Sequence, residues 1–160
     1  LSPEPPPSSP LDTGLNQLTA TLTRLGVDPT GYRLADGSGL SRHNLVSPAA
    51  LVQTLQVMAL HHQGETYRES LAIAATTGTL QHRFQNTPVA DRFMGKSGGL
   101  TGISSLAGYL DPPHFEPLLV SVIVEHSDQP GAVRRQAIDD ILLTLSHLEP
   151  CAANSFPQTH

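Results

Sequence analysis

The chain has 160 residues, 38% of them hydrophobic and 4% aromatic, which suits a single domain with a core of Leu, Val, Ile and Ala rather than large rings. A net charge of −5 with scattered arginines argues against nucleic acid as a partner, because nucleic-acid binders gather Lys and Arg on one face. No apolar run reaches the ~20 residues that span a bilayer, and the lone Cys151 has no partner for an internal disulfide.

The chain opens LSPEPPPSSP, with neither the basic stretch nor the apolar stretch of a signal peptide. Its first ten residues hold five prolines and three serines, the composition of an extended linker or surface loop. A start at Leu1 rather than Met reads as a processed or partial product. From Leu11 to Leu25, the leucines at 15, 18, 22 and 25 form one face of an amphipathic helix, and Gly26 is placed to cap it. Residues 31–39, GYRLADGSG, predict a short strand running into a tight loop.

Ser47 and Pro48 suit the cap and first position of a second helix, which Ala50, Leu51, Leu55, Met58 and Ala59 continue to about His61. Short helical turns and loops are expected over 62–90. Three strands follow, at Arg92 to Ser97, Ile103 to Leu110 and Pro117 to Val124, with Gly98-Gly99 and Asp111-Pro112-Pro113 as the turns between them. After the turn signal Gln129-Pro130-Gly131, a last helix over Ala132 to Leu148 carries Val133, Ile138, Ile141, Leu142, Leu145 and Leu148 on one stripe. Residues 11–149 thus make the folded part and 150–160 a polar tail.

Lys96 is the only lysine, at the end of a predicted strand within GKSGGLTGISSLAGYL. A solitary lysine by itself reads as a solvated surface charge. Here Ser97 adds a hydroxyl, and Gly98-Gly99 removes side chains so that backbone N–H groups can approach a ligand. A cation, a hydroxyl and bare backbone together suit an anionic substrate end and a developing oxyanion.

This string resembles the Lys-Thr/Ser-Gly element of penicillin-binding proteins and serine β-lactamases. ADGSGLSRHNLVSP at 35–48, GTLQHRF at 78–84 and TPVADRFMGKSGGLTGISSLAGYL at 87–110 stand in order before an apolar strand and a terminal helix. Together they resemble the C-terminal part of the D-alanyl-D-alanine carboxypeptidase/endopeptidase family, of the type with inserted subdomains, over roughly residues 12–148. The resemblance implies an α/β (α+β) fold, an antiparallel sheet covered by helices within a penicillin-binding/serine β-lactamase-like transpeptidase domain. It further implies that Lys96 and Ser97 serve the chemistry, that Lys96, Ser97, Gly98 and Gly99 bind substrate, and that Asp36, Ser41 and Arg42 anchor a structural loop near the site. Lys96 would hold the site electrostatics and the substrate's terminal carboxylate. Ser97, in place of the usual Thr, would hydrogen-bond that carboxylate, and the Gly99 N–H would form the strand half of an oxyanion hole. Gly99 stands where the family usually has a second Thr, so one hydroxyl contact is expected to be missing.

For the complete protein the resemblance implies acyl transfer from the penultimate D-alanine carbonyl to a serine, then hydrolysis. No cofactor is implied. Expected partners are peptidoglycan stem peptides, with β-lactams as inhibitors, in a periplasmic or extracytoplasmic setting with peripheral membrane association. Yet no SxxK pair exists here, since Phe93 lies three residues before Lys96, and no Ser-x-Asn precedes any asparagine. The family places both motifs N-terminal to DGSGLSR, so the chain is expected to begin just after them and to be inactive alone. The alternative is a non-catalytic relic or interaction module that retains the fold segment.

Other motifs read more plainly. Asp36-Gly37-Ser38-Gly39 lacks the GxSxG pattern and reads as a turn. His61, His62 and Glu65 lack a metal-ligand spacing, and adjacent histidines at a helix end point in different directions. His126 with Asp128 reads as a strand-to-helix loop rather than part of a Ser-His-Asp triad. Arg134-Arg135 with Asp139 reads as ion pairing on a solvated helix face. If part of the domain lies elsewhere, the apolar helix stripes would be exposed and prone to association.

Overall fold

A computed structural model describes residues 9–151. Helix α1 runs Pro10–Arg24, and its first turn closes by a capping box: Ser9 Oγ accepts from the Asp12 N–H at 3.1 Å while the Ser9 N–H donates to Asp12 Oδ2 at 3.2 Å. At its other end Gly26 takes φ +97°, the Gly26 N–H donates to Thr23 O at 3.0 Å and the Val27 N–H to Leu22 O at 3.0 Å. This Schellman arrangement requires the left-handed residue that glycine supplies. Only Val27, just past the helix, is buried; α1 itself buries no residue fully, and Leu18 of its apolar stripe is exposed.

Strand β1 (Tyr32–Arg33) pairs antiparallel with β2 (Leu45–Val46), and the DGSG segment forms part of the loop between them. Helix α2 spans Pro48–Leu60, with Ser47 Oγ accepting from the Ala50 N–H at 3.1 Å. A short helix α3 (Gly64–Glu69) follows, then β3 (Ala72–Ile73), an element the sequence pattern did not reveal. Strands β4 (Phe93–Leu100), β5 (Ile103–Leu110) and β6 (Leu118–Val124) complete an antiparallel sheet in the order β3-β4-β5-β6, and α4 (Gly131–Ser146) ends the fold. The expected antiparallel sheet covered by helices is what forms.

One expected turn is strand. Gly98 and Gly99 pair with Ser105 and Ser104, and Leu100 pairs directly with Ile103, so the connection is Thr101-Gly102 with Gly102 at φ +78°. Glycine at 98 answers to a close approach instead: a Cβ there would lie 2.4 Å from Ser105 Oγ.

Because strand side chains alternate between faces, the sheet has two distinct sides. Phe93, Leu106, Leu110 and Val120 face α4, where they pack with Ile138, Leu142, Leu80, Val89 and Ala74 into the core. Tyr109, one residue out of phase, points to the other side and donates to the Leu55 carbonyl of α2 at 2.8 Å. The stripe predicted for α4 is corrected in part: its Ile138 and Leu142 are buried, in a row with Arg134 and Ser146, but Val133 and Ile141 are exposed.

The segment 74–91, between β3 and β4, is wound tightly against this core. Ala75, Phe84, Asn86 and Asp91 all have φ between +57° and +65°, a conformation that costs non-glycine residues on the order of 1–3 kcal/mol. It is held by the Ala75 N–H, which is shared between Leu80 O at 3.1 Å and Arg83 O at 3.0 Å, and by a hydrogen bond between Thr76 and Asp91.

Burial pushes the Tyr109 phenol up, reinforced by the neighbouring Tyr67, while Arg68, whose guanidinium lies 4.3 Å over the ring, pulls it down. Burial raises Tyr67 as well. A folded pKa above the unfolded value means that this contribution to stability is fully present below about pH 10 and is lost as pH rises through the folded pKa. Tyr109→Phe is expected to cost about 1–2 kcal/mol by stranding the Leu55 carbonyl and to delete one late-titrating phenol from the absorbance titration near 295 nm. A titration with no phenol ionising above the ordinary range would contradict this account.

Candidate functional site

Strand β4 positions Lys96, Ser97, Gly98 and Gly99. The Arg92 carbonyl accepts from Asp111 N at 2.9 Å on the β5 side, whereas the Phe93 carbonyl accepts from Ala74 N at 2.9 Å on the outer side. Backbone groups alternate along a strand, so Gly95, Ser97 and Gly99 also face outward. Strand β3 pairs only with Met94 and Gly95. Beyond it, the N–H and C=O groups of Ser97 and Gly99 therefore lie on a strand edge with no further strand beside it among the described residues, a geometry that accepts an added extended chain.

Side chains decorate this edge on both faces. Lys96 is exposed, and its Nζ donates to the Ser97 carbonyl at 2.7 Å. Ser97 turns to the α4 face, where its Oγ lies 2.7 Å from Thr79 Oγ1, on the turn Gly78–Leu80. Nothing lies within 4 Å of a Cβ built on Gly99. Along this edge runs a cleft of about 440 Å³, whose lining includes Thr79, Lys96, Ser97, Gly99, Ser104 and Arg135. A second depression of about 610 Å³ opens on the α2 face, between the β1–β2 segment and the Gly98–Ile103 hairpin end.

The loop residues expected near the site form a local network. Asp36 accepts from the Ser38 N–H at 3.0 Å, from Ser38 Oγ at 2.9 Å and from Asn44 Nδ2 at 3.1 Å. The bonds from Ser38 hold the Asp36 carboxyl below the ordinary range. Ser41 Oγ accepts from the His43 N–H at 3.2 Å, and Arg42 Nη2 donates to the Thr101 carbonyl at 3.1 Å, which ties the loop to the tip of the β4–β5 hairpin.

Arg134 and Arg135 are not a solvated pair with Asp139. Arg134 is buried and donates to Ser104 Oγ at 3.3 Å, to the Ser127 carbonyl at 3.1 Å and to the Gln129 carbonyl. Asp139 instead binds Arg83 of the 74–91 segment, and Arg135 is left facing the cleft with no ion pair or hydrogen bond among the described residues. The missed signal was phase: Arg134 lies four residues before Ile138, on the stripe that Ile138 and Leu142 define. Thr79 was read only as part of a matching string, because nothing local places it against a residue 18 positions away.

The remaining candidates do not converge. The side chain of His126 is 90% exposed, beside Glu125 at 3.7 Å, and no hydrogen bond joins it to Asp128. The rings of His61 and His62 lie 4.1 Å apart rather than pointing in different directions, and the described residues contain no group of three His, Cys, Asp or Glu placed to hold a metal. No helix among the described residues is long and apolar enough to cross a membrane.

A helix-flanked antiparallel sheet that exposes a Lys-Ser-Gly strand edge beside its last helix has the architecture of penicillin-binding transpeptidase-like domains. The crystal structure of penicillin binding protein 4 (dacB) from Haemophilus influenzae shares that architecture, with a TM-score of 0.70 and 28% identity over 82% of this chain and 30% of that one. A complex of that protein with a β-lactam aligns equally well, with a TM-score of 0.70.

The sequence profile of the D-Ala-D-Ala carboxypeptidase 3 (S13) family matches residues 5–145, and the chain belongs to that family. It is 36% identical over 110 residues to the D-alanyl-D-alanine carboxypeptidase of Actinomadura sp. strain R39, covering 66% of this chain and 20% of that protein. It is 38% identical over 99 residues to the D-alanyl-D-alanine carboxypeptidase DacB of Haemophilus influenzae, covering 61% of this chain and 21% of that protein. The chain thus spans 20% and 21% of the length of these two relatives.

Proposed function

We propose that this chain forms the substrate-anchoring edge of a serine-type D-alanyl-D-alanine carboxypeptidase/endopeptidase acting on peptidoglycan peptides. The observation that carries this reading is the open backbone edge at Ser97 and Gly99, flanked by the Lys96 ammonium and the Ser97 hydroxyl. An extended stem peptide adds to such an edge by main-chain hydrogen bonds, and the neighbouring cation and hydroxyl meet its terminal carboxylate. The Gly99 N–H then aims at the oxygen on which charge develops during acyl transfer. The serine nucleophile and its lysine base come from sequence outside these 160 residues, since no SxxK pair lies within them. Asp36, Ser41 and Arg42 support the site by holding the loop against the hairpin tip. The assembled enzyme works in the periplasm or another extracytoplasmic space, with peripheral membrane association, and β-lactams acylate it.

Fluorescent penicillin tests this reading. The 160-residue chain is expected to stay unlabelled, and a protein that also contains the SxxK and Ser-x-Asn motifs is expected to label covalently. In that longer protein Lys96→Ala should lower kcat/KM about 10²-fold or more. Unchanged peptidase activity would remove Lys96 from the site, and labelling of the short chain would show that it carries its own nucleophile.

A further inference from the structure

Gly99 differs from the other glycines of β4. A Cβ at Gly95 would lie 2.5 Å from the Phe93 ring and one at Gly98 would lie 2.4 Å from Ser105 Oγ, but a Cβ at Gly99 meets nothing within 4 Å. Its backbone is not left-handed either, so neither close packing nor conformation calls for a glycine there. Positions 97 and 99 share the α4 face because alternate strand residues do. The empty space over Gly99 is therefore part of the cleft of about 440 Å³ that Ser97, Ser104 and Arg135 help to line.

Two donors border that space. Ser104 is the cross-strand partner of Gly99 and lies on the same face. It is 3% exposed, and its Oγ accepts from Arg134 Nε at 3.3 Å, which leaves its own proton to be donated elsewhere. Buried Arg134 also binds the Ser127 and Gln129 carbonyls, fixing the first turn of α4 and with it the point where Arg135 emerges. Arg135 has no ion pair or hydrogen bond among the described residues, and no acidic side chain lines the cleft.

We propose that Gly99 is a specificity-determining residue: the space it leaves is a side-chain subsite for a ligand residue longer than alanine, ending in an acceptor group that Arg135 and Ser104 hold. The inference rests on the peptide-edge reading above, in which Lys96 and Ser97 meet the terminal carboxylate, and concerns a different part of the ligand, the side chain of its C-terminal residue. A methyl group leaves both donors unmatched. A side-chain carboxylate matches the guanidinium and the hydroxyl together, whereas an ammonium would face Arg135 with like charge.

The test titrates the 160-residue chain with N-acetyl-D-alanyl peptides ending in D-alanine, D-glutamate, D-glutamine or D-lysine, read by amide chemical shifts at residues 97–99. All four carry the same terminal carboxylate, so its contribution cancels in their ratios. Signals from β5 and β6 report whether each variant is folded. The D-glutamate peptide is expected to bind at least about 5-fold more tightly than the D-alanine peptide, by a margin that shrinks with added salt, with D-glutamine between them and D-lysine weakest. Gly99→Val, which suits a strand and fills the space without adding a donor, should cancel the advantage of D-glutamate over D-alanine. Arg135→Gln should bring D-glutamate and D-glutamine to within about 2-fold of each other, and Arg135→Lys should keep part of their difference. If the D-alanine peptide binds the unaltered chain as tightly as the D-glutamate peptide, or if Gly99→Val leaves their ratio unchanged, the inference fails while the peptide edge stands. If no peptide moves the signals of residues 97–99, both readings fail.

Discussion

Asp139→Asn is expected to destabilise the chain by about 3–5 kcal/mol, because it leaves the Arg83 guanidinium in a largely enclosed site without its counter-charge. Arg83 Nε donates to both Asp139 oxygens, at 3.1 and 3.3 Å, its Nη2 adds a further bond to Oδ1, and the two side chains are only 13% and 15% exposed. The bond joins α4 to the 74–91 segment, so its loss also releases the turn that carries Thr79. Urea unfolding should show the drop, and hydrogen exchange should show lost protection at Ala75 and Leu80. The cost belongs to the orphaned charge rather than to the missing bond, so the double variant Arg83→Met/Asp139→Leu should recover much of the stability. A single-variant loss below about 1 kcal/mol would place the pair among solvated surface contacts.

Gly108→Ala is expected to cost about 3 kcal/mol, at the upper end of ordinary overpacking. A Cβ at Gly108 would lie 2.2 Å from the Met94 carbonyl oxygen, 2.6 Å from the Gly95 Cα and 2.8 Å from the Phe93 ring. The first two are backbone atoms of the paired strand and have no rotamer by which to move away. Gly95 is the cross-strand partner of Gly108, and a Cβ there would meet the Phe93 ring at 2.5 Å. The two glycines together make room for the Phe93 ring against the sheet, fixing β4 one residue before Lys96. Gly99→Ala supplies the contrast, since nothing lies within 4 Å of its Cβ, and should change stability by less than about 0.5 kcal/mol. Equal effects of the two substitutions in thermal or urea unfolding would refute this packing account.

Local chemistry made some of this legible in advance. Ser47-Pro48 and Gly26 announce helix ends because caps are satisfied by residues within one turn. The β6 run of Leu, Val and Ile announces a buried strand for the same kind of local reason. Gly98-Gly99 misled because glycine serves both turns and close strand approaches, and the neighbour that decides between them, Ser105, comes into contact only after the hairpin folds. Strand β3 escaped notice because two residues carry no period, and its pairing with β4 is settled across more than 20 positions.

The site divides along the same line. The lysine, its hydroxyl neighbour and the bare backbone at 96–99 are sequence properties, and the matching strings around them sufficed to suggest the family. Which way each group faces was decided by register: β3 stops at Ala72–Ile73, and this leaves Ser97 and Gly99 on an open edge. Tertiary packing alone placed Thr79 beside Ser97, sent Asp139 to Arg83, buried Arg134 and left Arg135 over the cleft. Charges pair with whatever the fold brings near them rather than with their sequence neighbours, so helix spacing could suggest a partner for Asp139 but could not choose one.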